Sequence, residues 1–343
     1  MLKRNNNSAL INSILILHGI VIVLLFAYLG KLLFIPLFFS FLIAVFLYPL
    51  SGRFERRGLN RLASSILCIL ILLLCCGIMT FFVGSQFQRF LKDIPLFKDK
   101  LDALISNSEL WLKQHFNLDD DSQSNYIDRA INSIVNAVGF TVSSFLYLIV
   151  FLTLSLFFIF YMLFYRGLLN NFVLSFFNRA NKTKVAEISY AIHETLVNYV
   201  KGLLAEILIL MVLSSLTLLI LGVKYAILMA FFAGLFNVIP YIGIYTAALL
   251  NMLITEVDGS GRQSIEVLLV FVAIHILDAN LITPFIVGRR IKINPLVTLI
   301  AVISGEIIWG IPGMFLFIPL AAIINIILEK TAILHSNEIA ASK

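Results

Sequence analysis

Of the 19 acidic residues in this chain, Glu206, Asp278 and Glu306 are the ones set well inside long apolar stretches. An ionised carboxylate at the centre of a membrane helix costs about 2.5–3.5 kcal/mol on insertion scales, so each asks for a reason. Asp278 stands about midway along its stretch, and His275 precedes it by three residues, on the same face of a helix. Together they can carry or exchange a proton, because burial and neighbouring charge control carboxyl protonation and imidazole titrates near neutral pH unaided. A protonated Asp278 hydrogen-bonded to a neighbouring helix is the plain alternative. Glu306 lies beside a break in its stretch, where unwound backbone would offer free carbonyls and amides to a solute or cation. Glu206 is only a few residues into its stretch and fits a structural or gating role better than direct binding. Asn237 can cap a half-helix, and Asn280 and Asn325 can bridge helices. His18 is isolated in the first stretch and reads as a packing residue. If the breaks and the midspan carboxylate make one site, then Asp278, Glu306, Asn237 and Asn280 should converge near the membrane centre.

Other chemistries fail on spacing. His193-Glu194 begins an H-E-x-x-H zinc motif, but Val197 occupies the second histidine position. Cys68, Cys75 and Cys76 share one apolar run with no C-x-x-C spacing, which argues against a metal site or disulfide framework. Asp119, Asp120 and Asp121 are adjacent, point in different directions and read as a solvated loop. No G-x-S-x-G and no phosphate-binding loop occurs, so neither an intramembrane hydrolase nor an ATPase is expected, and no cofactor or metal.

The elements that must hold these residues are membrane helices. The 343 residues are 60% apolar and 13% charged, against about 45–50% and about 25% in soluble domains. Apolar runs fall at 9–30, 32–50, 62–84, 140–165, 203–222, 225–255, 265–287 and 294–329, each long enough to span a bilayer. The net charge of +6 would suggest nucleic acid in a soluble protein, but here the basic residues sit in short loops that set topology. No nucleic-acid partner is expected. Lys3 and Arg4 before the first run, and Arg53, Arg56, Arg57 and Arg61 after the second, place both regions in the cytoplasm. The first run is a retained span rather than a cleaved signal.

The expected organisation is a three-helix membrane region at 1–84 and an extracytoplasmic helical insertion at 85–139. A fourth span with a cytoplasmic amphipathic helix follows at 140–202, then a core at 203–330 and a cytoplasmic tail at 331–343. Phe97, Leu101, Leu104 and Ile105, and again Ile127, Ile131, Ile134 and Val138, have the spacing of short amphipathic helices in the insertion. Val185, Ile188, Ile192, Leu196 and Tyr199 form an apolar stripe on the cytoplasmic side.

Two runs are too long for one crossing. Residues 225–255 are broken around Pro240 and Gly243, and residues 294–329 around Gly310, Pro312 and Gly313. Each is either one kinked span or a re-entrant hairpin. Single spans leave about 14 basic residues inside and about 11 outside; hairpins give about 16 and about 9, in better accord with the positive-inside rule. The hairpin arrangement pairs 203–222 and its hairpin with 265–287 and its own, an inverted repeat. The fold class is therefore all-α and polytopic, with re-entrant hairpins in an inverted repeat and a small helical outer insertion.

The C-terminal half carries Tyr161 and Phe164-Tyr165, Tyr199-Val200-Lys201-Gly202, and Ile239-Pro240-Tyr241-Ile242-Gly243. Asp278-Ala279-Asn280 with Pro284 and Gly288 follows, then Asn294-Pro295-Leu296, Gly305, Gly310, Gly313 and Pro319. In this order these elements resemble the autoinducer-2 exporter family of bacterial membrane proteins, the PerM-like permeases. Leu203 stands where the family often has glutamine, and Asp278 keeps the carboxylate of a common glutamate. The resemblance implies an inner-membrane transporter, exporting a small polar solute such as the signalling furanone or exchanging sodium for protons. The expected partners are the lipid bilayer, the solute or cation, and further copies of the chain as a homo-oligomer. A non-transporting scaffold or a channel is the competing reading.

Overall fold

The computed structural model describes residues 3–116, 142–239, 242–258, 261–283, 285–286 and 294–341. Eleven α-helices follow in order: α1 (Lys3–Leu29), α2 (Lys31–Arg56), α3 (Arg61–Phe116), α4 (Val142–Phe164), α5 (Arg166–Ser175), α6 (Arg179–Ile220), α7 (Ala226–Phe236), α8 (Ile242–Asp258), α9 (Gly261–Leu277), α10 (Pro295–Trp309) and α11 (Ile311–Ala341). A π-helical turn, Asp278–Ile282, continues α9. No strand occurs among the described residues.

Among the described residues, six segments are long and apolar enough to cross a bilayer: Lys31–Arg56, Arg61–Phe90, Leu146–Phe164, Asn181–Ile220, Gly261–Ile282 and Ile311–Thr331. Their outward faces are apolar; Phe81 is 81% exposed and Ile220 84%. A surface of that kind is stable against lipid rather than water. The protein is a polytopic membrane protein.

Two helices run further than expected. The amphipathic pattern around Phe97–Ile105 is no separate helix but part of α3, which carries the third span unbroken to Phe116. Residues after the span are rich in helix formers, and extending a formed helix needs no new nucleus. In the same way α6 joins the cytoplasmic stripe to the fifth span as one helix of 42 residues. Asp119–Asp121, the second insertion pattern at Ile127–Val138, Pro240 and the basic loop Arg289–Lys292 lie outside the described residues.

The chain divides into two compact units. One comprises residues 1–69, 153–202 and 287–343. Its core joins Leu42 of α2, Leu196, Tyr199 and Val200 of α6, Val302 of α10, and Leu316 and Ile318 of α11. Here the second long run is a tight helical hairpin. Asn294 caps α10 by accepting from the Leu296 N–H at 2.9 Å, with Pro295 as the first helical residue. Gly310, at φ +67°, is the whole connection to α11. The unwound stretch expected there is thus one residue long, and the Glu306 carbonyl is taken by the Gly310 N–H at 2.8 Å. Pro312 lies in the first turn of α11, where its missing N–H leaves no gap. The two arms are unequal, since α11 alone contains a segment of spanning length.

The other unit comprises residues 70–152 and 203–286. Leu218, Val223, Ala226, Met229, Ala230 and Ala233 pack with Ala247, Ala248, Val267 and Phe271, tying α6, α7, α8 and α9 together. The first long run breaks after Phe236 into α7 and α8. Gly243 is required there, because a Cβ would overlap the Phe236 carbonyl.

Candidate functional site

Four side chains of the second unit meet: Glu206 of α6, Asn237 at the end of α7, and Asp278 and Thr283 around the π-helical turn. Glu206 and Asp278 are 8% and 5% exposed. Asn237 Nδ2 donates to Glu206 Oε1 at 3.0 Å. The Thr283 hydroxyl lies 3.2 Å from the same oxygen and 3.3 Å from Asp278 Oδ1. Neither carboxyl has an ion pair with a lysine or arginine among the described residues.

The local fold explains why these groups converge. Asn237 follows α7 in the short turn that starts the break, so its side chain is freed from the helix face. In an α-helix, residues 278 and 283 would point about 140° apart at 100° per residue. The Thr283 N–H instead bonds the Asp278 carbonyl, the i→i+5 pattern of a π turn, and brings the two side chains to one face.

The expected site residues fall in three places. Asp278, Glu206 and Asn237 come together. His275 lies one turn before Asp278, its ring edge-on to Tyr245 at 5.4 Å between centroids, and its buried Nδ1 has no hydrogen-bond partner among the described residues. Asn280 is exposed and spends its amide on the Ile276 carbonyl at 2.7 Å. Glu306 belongs to the other unit, exposed on α10 beside the Gly310 turn. Thr283 is the residue that the sequence reading missed, because only a π turn aligns it with Asp278.

What the cluster can do follows from counting donors. Asn237 has two amide N–H groups, one given to Glu206 and its amide also facing Asp278, and Thr283 has one hydroxyl hydrogen for its contacts with both carboxyl groups. If Thr283 donates to one, the contact with the other needs a proton on that carboxyl, or the second carboxylate must be met by a cation. The arrangement is thus a small, buried acidic cluster. Among the described residues no group of three or more His, Cys, Asp or Glu side chains forms a metal cage.

The profile of the AI-2E family transporters matches residues 17–333. The chain belongs to the AI-2E transporter family. It is similar to YrrI of Bacillus subtilis, 27% identical over 315 residues that make up 87% of this chain and 86% of that protein. TqsA of Escherichia coli, an AI-2 transport protein, is 23% identical over 306 residues, 87% of this chain and 86% of its own length. PerM of Escherichia coli is 24% identical over 150 residues, 43% of this chain and 42% of its own. AI-2E membership makes this chain a bacterial membrane transporter that contacts lipid and a small solute, and the family is not one of enzymes.

Proposed function

We propose that the chain is a secondary transporter exporting a small polar solute of the AI-2 furanone type, with its ion coupled at Glu206 and Asp278. The observation that carries this reading is the Thr283 hydroxyl between two buried carboxyl groups, one hydrogen facing two acceptors. A buried site of that composition alternates between holding and releasing one cation, which is what gradient-driven transport requires. The name of the relative TqsA supports the furanone as cargo. The breaks at Gly243 and Gly310 support re-entrant hairpins related as an inverted repeat, with Glu306 beside the second break as a solute or cation contact. The arginines at the end of α2 support an inner-membrane orientation with both termini in the cytoplasm. The transporter works as a homo-oligomer.

Sodium/proton exchange is the second reading, favoured by two carboxylates without a basic partner among the described residues. Reconstituted protein in liposomes separates the two. Uptake or release of the furanone under an imposed pH or sodium gradient supports the first; ion exchange unaffected by the furanone supports the second. Absence of both fluxes removes the transporter role assigned to this site.

A further inference from the structure

α5 follows the fourth span with only Tyr165 between them, so it begins where that span leaves the membrane. Its 10 residues cover about 15 Å, too little to cross a bilayer. None of its side chains is buried. Leu168, Phe172 and Phe176 are 62%, 57% and 70% exposed, and at i, i+4 and i+8 they form one stripe with Leu169 and Val173 beside it. Asn170 and Asn171 lie on the other side, with Leu174 between them, and Ser175 borders the stripe.

The charge around this helix is mainly basic. Arg166 pairs with Glu55 of α2, donates to Ser51 Oγ at 3.2 Å and lies over the Tyr48 ring at 4.9 Å. The Arg61 guanidinium reaches Gly167, 3.5 Å from where a Cβ would stand. These contacts put the start of α5 at the same end as Arg53, Arg56, Arg57 and Arg61. Beyond α5 come Arg179, Lys182 and Lys184. Within residues 51–61 and 166–186 the one acid in the sequence is Glu55, paired with Arg166; Glu187 follows one turn after Lys184.

We infer that α5 is an interfacial anchor: it lies in the plane of the bilayer surface, its Leu168–Phe172–Phe176 stripe sunk at the headgroup boundary, and the surrounding basic residues hold anionic lipid headgroups. An apolar stripe with a basic surround and no acid of its own is the pattern that binds such surfaces. The occupant is an anionic lipid surface, since a stripe meeting a second copy would bring two sets of these arginines together.

The test places a spin label at position 172 or 171 of the full chain, in cysteine-free background, reconstituted in phosphatidylcholine alone or with phosphatidylglycerol. At 172 the label is expected to be accessible to oxygen and shielded from a water-soluble nickel reagent, with the reverse at 171. Added phosphatidylglycerol should increase the shielding at 172, and the Arg179→Gln/Lys182→Gln variant should lose that increase. A label at 172 open to the nickel reagent overturns the anchor, and so does one immobilised and shielded from both reagents, which marks contact with a second copy. Equal shielding in both lipids overturns the anionic part.

Discussion

Gly305 and Gly313 meet backbone to backbone across the Gly310 turn: a Cβ on either would fall on the carbonyl of the other, and one on Gly313 would also lie 2.9 Å from Trp309 Cβ. Close approach of α10 and α11 therefore depends on both glycines. Trp309 is itself fixed by donating Nε1–H to the Ala27 carbonyl at 3.0 Å, so it has little room to yield.

Gly305→Ala or Gly313→Ala should destabilise the hairpin by the about 1–3 kcal/mol typical of overpacking, or more, because the obstacle is backbone. A lower thermal midpoint in detergent for both variants, with Gly19→Ala unchanged, is the expected outcome. Unchanged melting of Gly305→Ala would show that the arms separate without cost. Gly19 is the control because nothing lies within 4 Å of its added Cβ.

A second prediction concerns the start of α7. Tyr225 sits in the left-handed region at φ +60°, with Phe90 edge-on to its ring at 5.5 Å. Asp93 of α3 accepts from the Tyr225 hydroxyl and pairs with Lys224 at 2.9 Å. The Tyr225 hydrogen bond first, and Lys224 second, hold the Asp93 carboxyl below the usual carboxylate range. A lowered folded pKa means that the contribution is present above the unfolded value of about 3.9 and is lost as pH falls through the folded one. Asp93→Asn should melt slightly below the parent at neutral pH, and the gap should close in acid. A gap of the same size at both pH values would refute the clamp. The effect is small because Asp93 is solvent-facing.

Topology gives a third. Re-entrant hairpins place Gly261 outside and Arg289 inside. Single cysteines at those positions should react with an impermeant reagent from opposite faces of intact cells and inverted vesicles. The opposite assignment would establish single kinked spans instead.

The spans were legible in the sequence because twenty apolar residues in a row have few other uses, and the breaks because glycine and proline interrupt helices for local reasons. Pairing was not. Glu206 and Asp278 are far apart in sequence, and only the folding of α6 against the π turn sets them side by side. Thr283 was invisible to 3.6-residue periodicity, since a π turn adds one residue to the turn and shifts the face by about one residue position. The helix continuity of α3 and α6 was likewise hidden: composition changes at the end of a span while the backbone need not.

Thr283 yields the fourth prediction. Thr283→Val keeps shape and removes the hydroxyl that joins the two carboxyl groups, whereas Thr283→Ser keeps it. Gradient-driven flux should fall sharply in the valine variant and survive in the serine variant, with similar membrane insertion of both. Equal flux in both would make the hydroxyl incidental.

The fifth prediction tests Glu206 and Asp278 as one unit. If the pair holds a single exchangeable proton, a gradient of one pH unit can drive at most about a tenfold solute gradient, equivalent to about 1.4 kcal/mol. Asp278→Asn keeps hydrogen-bonding shape while removing the titratable group, and Glu206→Gln does the same on α6. Each should leave a folded, inserted protein that equilibrates solute downhill but no longer accumulates it in response to pH or sodium. Because the two act on the same proton, the double variant should lose no more than either single one, a non-additivity that independent sites do not show. The measurement is the ratio of internal to external solute in liposomes under an imposed gradient, for the parent, both single variants and the double. Parent-like accumulation in Asp278→Asn would sink the coupling role of that residue, and additive losses in the double variant would show two separate ion sites in place of one shared site.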